Sequence, residues 1–280
     1  MLVKTKAAVE EKLSEEQLAI LNESYPISPD ESSGLKLPRL GMLSKDITEE
    51  SGTGKSKKIE VVQAAGTFYT ESDQGEVNEE TGKAKWTKEY LDAATLDVII
   101  VYHRRQLRRF DAGLKKFYST PIFDDATQIV PLYLDGQIVK RGNQAELQAL
   151  YPKLTQKGKP SSDLKEEAIL YVIYKNELYQ MNISQSSKWM FKTYKKSLNP
   201  STVVTTIGSV EDTFGDNTFY KMTFASKGII DVKMFETVVT QQNVVKDQVE
   251  NDQKFYLASG GQEAAADKEF DALPGKKGDF

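Results

Sequence analysis

The chain has 280 residues, 39% of them hydrophobic, and a formal net charge of −4, which provides enough apolar side chains for one large domain or two small ones. It contains no cysteine and one histidine, so disulfides, thiolate metal sites, cysteine nucleophiles and multi-histidine metal centres are excluded. The apolar run Val98 to Tyr102 is much shorter than the roughly 20 residues that cross a bilayer. Together with the lack of cysteine, this predicts a protein that works in a reducing cytoplasm without a membrane partner.

The N-terminal part of the chain predicts an appended arm. Ser14-Glu-Glu-Gln17 is a capping-box pattern that opens a short helix, and two prolines then end it. Residues 28–58 are rich in Ser, Gly, Lys and Glu, a composition that is typical of loops. We therefore predict an N-terminal helix and flexible arm over residues 1–58, and a folded body that begins at Ile59.

Strand patterns dominate the body. Turn sequences such as Asp135-Gly136, which accepts positive φ, separate several of the strands and favour pairing between sequence neighbours. Strands that pair through such short turns are antiparallel, so the pattern predicts a mainly β body of antiparallel sheet. The predicted strands are Ile59 to Tyr69, Leu96 to Tyr102, Ile129 to Leu134, Ala168 to Tyr174, Leu178 to Ile183, Thr202 to Val210 and Phe219 to Phe224.

Three helices are predicted in or near the body. One covers Gln144 to Leu150 and a second covers Ser187 to Leu198, and each is stopped by a proline that follows it. A third is predicted between Met234 and Gln253. Residues 258–280 are rich in Gly, Ala and charged residues, which bury too little apolar surface to offset the entropy of ordering, so we predict a disordered tail.

Two basic stretches that also carry aromatic residues stand out in the acidic chain. The first runs from Tyr102 to Tyr118 and the second from Ser187 to Lys196. Cations bind phosphates and exposed rings stack on unpaired bases, so the combination is typical of proteins that bind single-stranded nucleic acid without sequence preference. The candidate binding residues are Tyr102, Arg104, Arg105, Arg108, Arg109, Phe110, Lys115, Lys116, Tyr118, Lys188, Trp189, Lys192, Lys195 and Lys196.

The local geometry of the first stretch stays open, because its cations would share one arc of a helix but alternate between the faces of a strand. Arginine stacks on rings as well as pairing with phosphate, so the four arginines favour a nucleic-acid partner. The alternative is an ion-paired surface that faces the acidic segment Glu71 to Glu80.

The second stretch predicts an amphipathic helix. Its four lysines lie opposite an apolar arc formed by Met190, Phe191, Tyr194 and Leu198. Any surface helix turns its charges toward solvent, but like charges four residues apart destabilise a helix, so a solvated face and a binding face both stay open. Trp189 lies beside the lysines and is the best candidate for stacking on a base, although a tryptophan is more often a core residue.

The remaining motifs carry no recognisable enzyme chemistry. Ser51-Gly-Thr-Gly-Lys-Ser56 is similar to a phosphate-binding loop, but Glu49 occupies the position of its first glycine. The adjacent acids Asp124-Asp125 and Glu166-Glu167 can bind Mg²⁺ in a nuclease, yet no complete acidic centre accompanies them. His103 is expected to stay neutral among the arginines and to stack or to form hydrogen bonds. We predict no catalytic residue, no metal and no cofactor.

The end of the chain predicts a docking segment. Acids at positions 267, 269 and 271 precede Asp279 and the terminal Phe280. An acidic segment that ends in an aromatic ring can dock into a basic-rimmed apolar pocket of a partner protein.

Several of these segments together resemble a known family. They are the opening Leu37-Pro-Arg-Leu40, the strand end Tyr102 to Phe110, the helix Ser186 to Tyr194, and the paired segments Val203 to Gly208 and Tyr220 to Phe224. In this layout, over residues 35–225, the chain resembles phage-encoded single-stranded DNA-binding proteins with an OB-fold-like core.

The resemblance implies both a fold and a function. The fold is an OB-fold-like antiparallel Greek-key barrel with added helices over residues 59–257. The function is to coat and protect single-stranded DNA, without sequence specificity, in phage or plasmid replication and recombination in the host cell cytoplasm. Asp279 and Phe280 would contact replication or recombination proteins, while RNA binding and homo-oligomer formation stay open. Some similar phage proteins carry a cysteine-rich insert, which this chain lacks, so no zinc is expected.

Two other functions stay open. A structural or scaffolding protein of a virus particle would form large oligomers without DNA, and the fluorescence of Trp189 would not respond to oligo-dT. A metal-dependent nuclease or nuclease accessory subunit would show time-dependent cleavage of labelled single strands in Mg²⁺.

Overall fold

The computed structural model describes residues 14, 17, 37–51, 58–77, 84–155, 158–183, 185–215 and 217–249. The predicted capping box is present, because Ser14 N donates to Gln17 Oε1 at 2.9 Å and Gln17 N donates to Ser14 Oγ at 3.2 Å. The rest of the predicted N-terminal helix lies outside the described residues, and so does the tail with Asp279 and Phe280.

The described part of the chain is mainly β with three helices, which confirms the predicted fold class at that level. The helices are α1 (Gln144–Ala149), α2 (Gln185–Ser197) and α3 (232–249). The strands are β1 (Arg39–Met42), β2 (Ile47–Ser51), β3 (Lys58–Gln63), β4 (Phe68–Val77), β5 (Ala84–Tyr90), β6 (Thr95–Asp111), β7 (Lys116–Ser119), β8 (Val130–Leu134), β9 (Gln137–Gly142), β10 (Pro152–Leu154), β11 (Pro160–Ser162), β12 (Lys165–Tyr174), β13 (Glu177–Ile183), β14 (Val203–Phe214) and β15 (Asn217–Ile229).

Eleven strands form one mixed sheet in the order β5-β4-β1-β13-β12-β6-β7-β8-β9, with β14 pairing to the start of β6 and β15 pairing to β14. The pairs are antiparallel except β1 with β13, which is parallel. Within the described residues the sheet is not closed into a barrel, so the OB-type Greek-key barrel is not confirmed. The physical reason lies in β6, whose 17 residues pair with β14, β12 and β7 in turn and so extend the sheet.

The centre of the sheet is covered on both faces. Phe191 and Tyr194 of α2 pack on one face against alternate residues of β6, β12 and β13. Val238 and Val245 of α3 pack on the opposite face against the other residues of the same strands. A fully buried apolar side chain contributes about 1.5–3 kcal/mol, so these two layers fix both helices on the sheet. We call the two sides the α2 face and the α3 face.

A β-bulge in β6 shifts the alternation of its side chains. Tyr171 of β12 pairs with Tyr102, but the next residue, Val172, pairs with Ile100, so Val101 is the extra residue. Tyr102 therefore lies on the α3 face, in the same cluster as Val101. Beyond the bulge, odd-numbered residues of β6 lie on the α2 face and even-numbered residues lie on the α3 face.

The sequence placed most elements correctly and missed others. The predicted strand from Ile59 to Tyr69 is two strands, because a turn with Gly66 at φ +83° separates β3 from β4. Part of the predicted arm instead forms β1 and β2, and Leu40 is only 1% exposed in the core. The predicted Asp135-Gly136 turn is confirmed, with both residues at positive φ. None of the helices in the described ranges is long and apolar enough to span a membrane.

Candidate nucleic-acid interface

Packing fixes the orientation of α2, which contains most of the second basic stretch. Phe191 and Tyr194 are buried against the α2 face, and Tyr194 Oη lies 2.7 Å from Thr205 Oγ1, within hydrogen-bonding distance. Rotation of the helix would break these contacts, so its lysine-bearing side stays outward. Trp189 is 65% exposed on that side, next to Lys192 and Lys196, which are also exposed.

One arginine of the first stretch reaches the same place. Arg105 lies on the α2 face of β6 and donates to Gln144 Oε1 of α1 at 3.3 Å. Gln144 in turn donates to Glu166 Oε2 at 3.0 Å, and Lys188 of α2 pairs with that carboxylate oxygen at 3.2 Å. The two basic stretches, distant in sequence, therefore meet around Glu166 between α1 and α2.

Positive charge is in excess around Glu166. Burial raises the pKa of its carboxyl group, but Lys188 and Arg105 outweigh burial and bring the pKa below its ordinary value. Burial lowers the pKa of Lys195, and the positive charges of Arg105 and Lys192 lower it further. An added anion such as a phosphate would therefore be stabilised at this position. We call Arg105, Glu166, Lys188, Lys192 and Lys195 the α2-face cluster.

His103 forms part of the floor beneath this cluster. Lys195 Nζ lies 2.6 Å from Nε2 of His103, and the imidazole ring meets Phe191 edge to face with centroids 5.6 Å apart. Burial, with Lys195 and Arg105 nearby, lowers the pKa of His103 to about 3. The ring is therefore neutral at pH 7, as the sequence predicted, and supports Lys195 by hydrogen bonding.

Arg109 also lies on the α2 face, but carboxylates neutralise it. Its guanidinium bonds to Asp111 at 2.8 Å and to Asp163 at 3.4 Å. The same group lies over the rings of Tyr118 and Tyr151, at 5.3 and 4.8 Å from their centroids. Arg109 and Tyr118 are thus brought together, in a closed structural contact beside the α2-face cluster rather than within it.

Two of the predicted binding residues are buried. Tyr102 and Arg104 are each 2% exposed. Arg104 bonds to Asp124 at 3.1 Å and to the carbonyl oxygen of Ile122 at 3.2 Å. The bulge at Val101 turns both side chains toward the α3 layer, where they hold the core together and cannot reach a ligand on the surface.

The other residues of the first stretch lie on the α3 face or at the hairpin tip. Arg108 lies over the ring of Phe117 at 4.8 Å and pairs with Glu167 at 3.4 Å. Phe110 and Phe117 form an exposed ring pair with centroids 4.9 Å apart. At the tip Lys115 and Lys116 are exposed, and Lys116 pairs with an aspartate, Asp135.

Sequence reasoning missed a group of cation–ring contacts on the α3 face. Arg39 of β1 lies over Trp86 of β5 at 4.5 Å, and Lys88 lies over Tyr69 at 4.0 Å. The alternation of Trp86, Lys88 and Tyr90 along β5 was the available signal. That alternation could not be interpreted without the pairing of β1 with β4, which brings Arg39 to the ring of Trp86.

The acidic pairs do not form a metal centre. The two carboxylates of Glu166-Glu167 lie on opposite faces of β12, where each pairs with a cation. Asp124 pairs with Arg104, and Asp125 accepts the Thr127 N–H at 2.8 Å. In the described part of the chain, no three potential metal ligands lie together.

The alternative partner for the first stretch, the acidic segment Glu71 to Glu80, pairs with other residues. Glu71 pairs with Arg39 at 3.4 Å, and Glu76 pairs with Lys85 at 2.8 Å. Residues 78–80 lie outside the described ranges. The arginines of the first stretch pair instead with acids from their own part of the sheet.

Comparison with protein-family models, with curated proteins and with solved structures found no match to this chain. A functional conclusion therefore depends on the chemistry of the surfaces described above.

Proposed function

We propose that the protein binds single-stranded DNA through the α2-face cluster, extended by Lys196 and Trp189. One observation carries the proposal: two basic stretches converge around Glu166, beside a tryptophan side chain that is 65% exposed. The same arrangement offers cations to phosphates and a ring face to an unpaired base.

The charges of the cluster suit a polyanion. Arg105, Lys188 and Lys195 lie near Glu166, Lys192 lies near Lys195, and Asp125 adds a second negative charge near Arg105. A phosphate that enters receives donors from two elements, because the arginine comes from the sheet and the lysines come from α2. None of these groups needs a particular base, so we expect binding without sequence specificity.

Stacking on Trp189 favours a single strand over a duplex. In a duplex the bases are stacked on one another and their faces are closed to an outside ring. A base–aromatic stack contributes about 1–3 kcal/mol, and any base can form it. The proposal depends on these side chains and requires no OB barrel.

In this proposal the protein coats and protects single strands during replication and recombination and performs no catalysis. Contacts of Asp279 and Phe280 with replication or recombination proteins belong to the same proposal and lie outside the described residues. RNA is the natural comparison ligand, because phosphates and base faces are common to both nucleic acids.

The test is binding of fluorescent oligo-dT at about 0.1 M salt. At that salt, each phosphate contact on a single strand raises the logarithm of the association constant by about 0.7. We therefore expect the quadruple substitution of Lys188, Lys192, Lys195 and Lys196 by Gln to raise the Kd more than about 100-fold.

A control removes positive charge elsewhere, from two exposed lysines. Lys85 and Lys227 are exposed and lie on β5 and β15, away from the cluster. Their double substitution by Gln should change the Kd less than threefold. Equal losses in both variants, with both folded by circular dichroism, would mean that the α2-face cluster is not the binding site.

A further inference from the structure

The bulge in β6 distributes one basic stretch over two surfaces. Beyond Val101, Arg105 lies on the α2 face, whereas Arg108 and Phe110 lie on the α3 face. A strand with this alternation builds two separate binding surfaces from one run of sequence.

The surface on the α3 side has the same chemistry as the α2-face cluster. Five residues line a pocket of about 250 Å³, namely Arg108, Phe110, Phe117, Lys165 and Glu167, and the ion pair of Arg109 with Asp163 completes its lining. Phe110 and Phe117 are 52% and 50% exposed, which is unusual for paired rings on a polar surface. We call these five residues the α3-face patch.

The patch continues into a larger cleft. Arg108 also lines a cleft of about 540 Å³, whose floor carries the amides of Gln106, Gln180 and Asn182. Arg39 also lines the cleft, where it lies over the ring of Trp86 and pairs with Glu71, another residue of the lining. Cations, rings and amides therefore follow one another across the open part of the α3 face, as a strand of phosphates and bases requires.

The two surfaces are separated. Because β6 is paired to β12 on one side and β7 on the other, nothing passes through the sheet between them. At the edge between them the cations are already paired, since Arg109 bonds to Asp111 and Asp163, Lys153 also bonds to Asp163, and Lys116 bonds to Asp135. Hydrogen bonds lower the pKa values of Asp111 and Asp163, so both carboxylates stay ionised and keep Arg109 and Lys153 paired, which leaves a phosphate little to gain at this edge.

We propose that one protomer holds two single strands at once, one on each face, and thereby brings complementary strands together for pairing. The inference rests on the proposed function, because it assigns a second site for the same ligand. Holding two strands on one protein raises their effective concentration, and the cations reduce the repulsion between their phosphates.

The first experiment measures bridging with two oligo-dT strands that cannot pair with each other. One is fixed to beads, the other is fluorescent, and the protein links them. The wild-type protein should retain the fluorescent strand. The α3-face variant R108Q/F110A/F117A should retain at least tenfold less, while its Kd for one strand rises less than about fivefold.

A matched control removes one cation and two exposed apolar side chains from the ribbon of β14 and β15. The variant K227Q/V210A/I229A serves this purpose, because Val210 and Ile229 are 40% and 55% exposed. It should retain bridging within twofold of the wild type.

A mixture of two variants distinguishes bridging by one protomer from bridging by an oligomer. The α3-face variant and the quadruple lysine variant, mixed in equal amounts, should fail to restore bridging if each protomer must hold both strands. The rate at which the wild type pairs complementary oligonucleotides should fall at least tenfold in either variant.

Three outcomes would overturn the inference: undiminished bridging by the α3-face variant, recovery in the mixture, or one long strand protected across both faces. Failure of the proposed function would look different, because the wild-type protein would then bind no single strand at all.

Discussion

The ammonium group of Lys195 donates a hydrogen bond to Nε2 of His103 at 2.6 Å, and so links the two basic stretches directly. An ammonium group can only donate, so Nε2 accepts and the imidazole is neutral. Burial and the charges of Lys195 and Arg105 account for this state, because they lower the pKa of His103 to about 3. A pH dependence of stability follows.

Acid should destabilise the protein through His103 before the carboxylates titrate. The unfolded chain takes up a proton on this histidine near pH 6.5, whereas the folded protein takes it up near pH 3. The contribution to stability is therefore complete above about pH 6.5 and decreases as the pH falls toward 3. One such group gives a slope of up to about 1.4 kcal/mol per pH unit. Urea unfolding at pH 7, 6, 5 and 4 measures it.

The control is the variant His103→Gln, whose amide oxygen can accept from Lys195 but does not titrate. Its free energy of unfolding should depend less steeply on pH between 6 and 4 than that of the wild type. Parallel curves for the two proteins would show that the histidine is not neutral in the folded state.

Substitution of Arg104 should affect stability and leave DNA binding unchanged. Arg104 pairs with Asp124 in the interior, so Arg104→Ala removes one partner of a buried ion pair, at a cost of about 3–5 kcal/mol. The double variant R104M/D124L should recover most of that loss, since apolar replacement of a buried pair is often close to neutral. Denaturant unfolding gives both values. If Arg104→Ala instead raised the Kd for oligo-dT strongly and changed the free energy of unfolding little, Arg104 would lie at the interface.

Substitution of two arginines on the same face should have different effects on DNA binding. Arg105→Gln should raise the Kd for oligo-dT about fivefold at 0.1 M salt, the effect of one phosphate contact. Arg109→Gln should change it less than twofold, because Asp111 and Asp163 already neutralise Arg109. Anisotropy titrations of the two variants side by side make the comparison. Equal losses would place Arg109 within the interface.

Trp189 should matter for binding and not for folding. Its side chain is 65% exposed, so Trp189→Ala should change the free energy of unfolding by less than about 0.5 kcal/mol. Loss of a base stack should weaken binding by about 1–3 kcal/mol, and Trp189→Phe should restore part of it. Binding of oligo-dT and urea unfolding are measured on the same preparations. An unchanged Kd for Trp189→Ala would exclude the stack.

The sequence predicted the helix α2 well because each of its signals is local. The spacing of Phe191 and Tyr194 defines the buried side, and the proline after the helix sets its end. The exposure of Trp189 and the outward lysines follow from that same spacing. A helix of this kind can be predicted from its own residues, provided that the protein has a core on which its apolar side can pack.

The first stretch was harder because its outcome depends on long-range pairing. Its cations fit one arc of a helix, and only pairing with β12 makes the segment a strand. The bulge at Val101 then decides which face each arginine occupies, and it exists only because Val172 pairs with Ile100. Likewise β1 was assigned to a loop, since its partners β4 and β13 are distant in sequence. No local pattern contains that information.

The salt dependence of single-strand binding tests the proposed interface most directly. Five cations form it: Arg105, Lys188, Lys192, Lys195 and Lys196. Contact of each with one phosphate predicts a slope of log K against log salt of about −3.5 for the wild-type protein. The quadruple lysine variant should give a much shallower slope, because only Arg105 of these five cations remains. A flat salt response of the wild type, or the same slope in both proteins, would contradict binding of a polyanion at this surface.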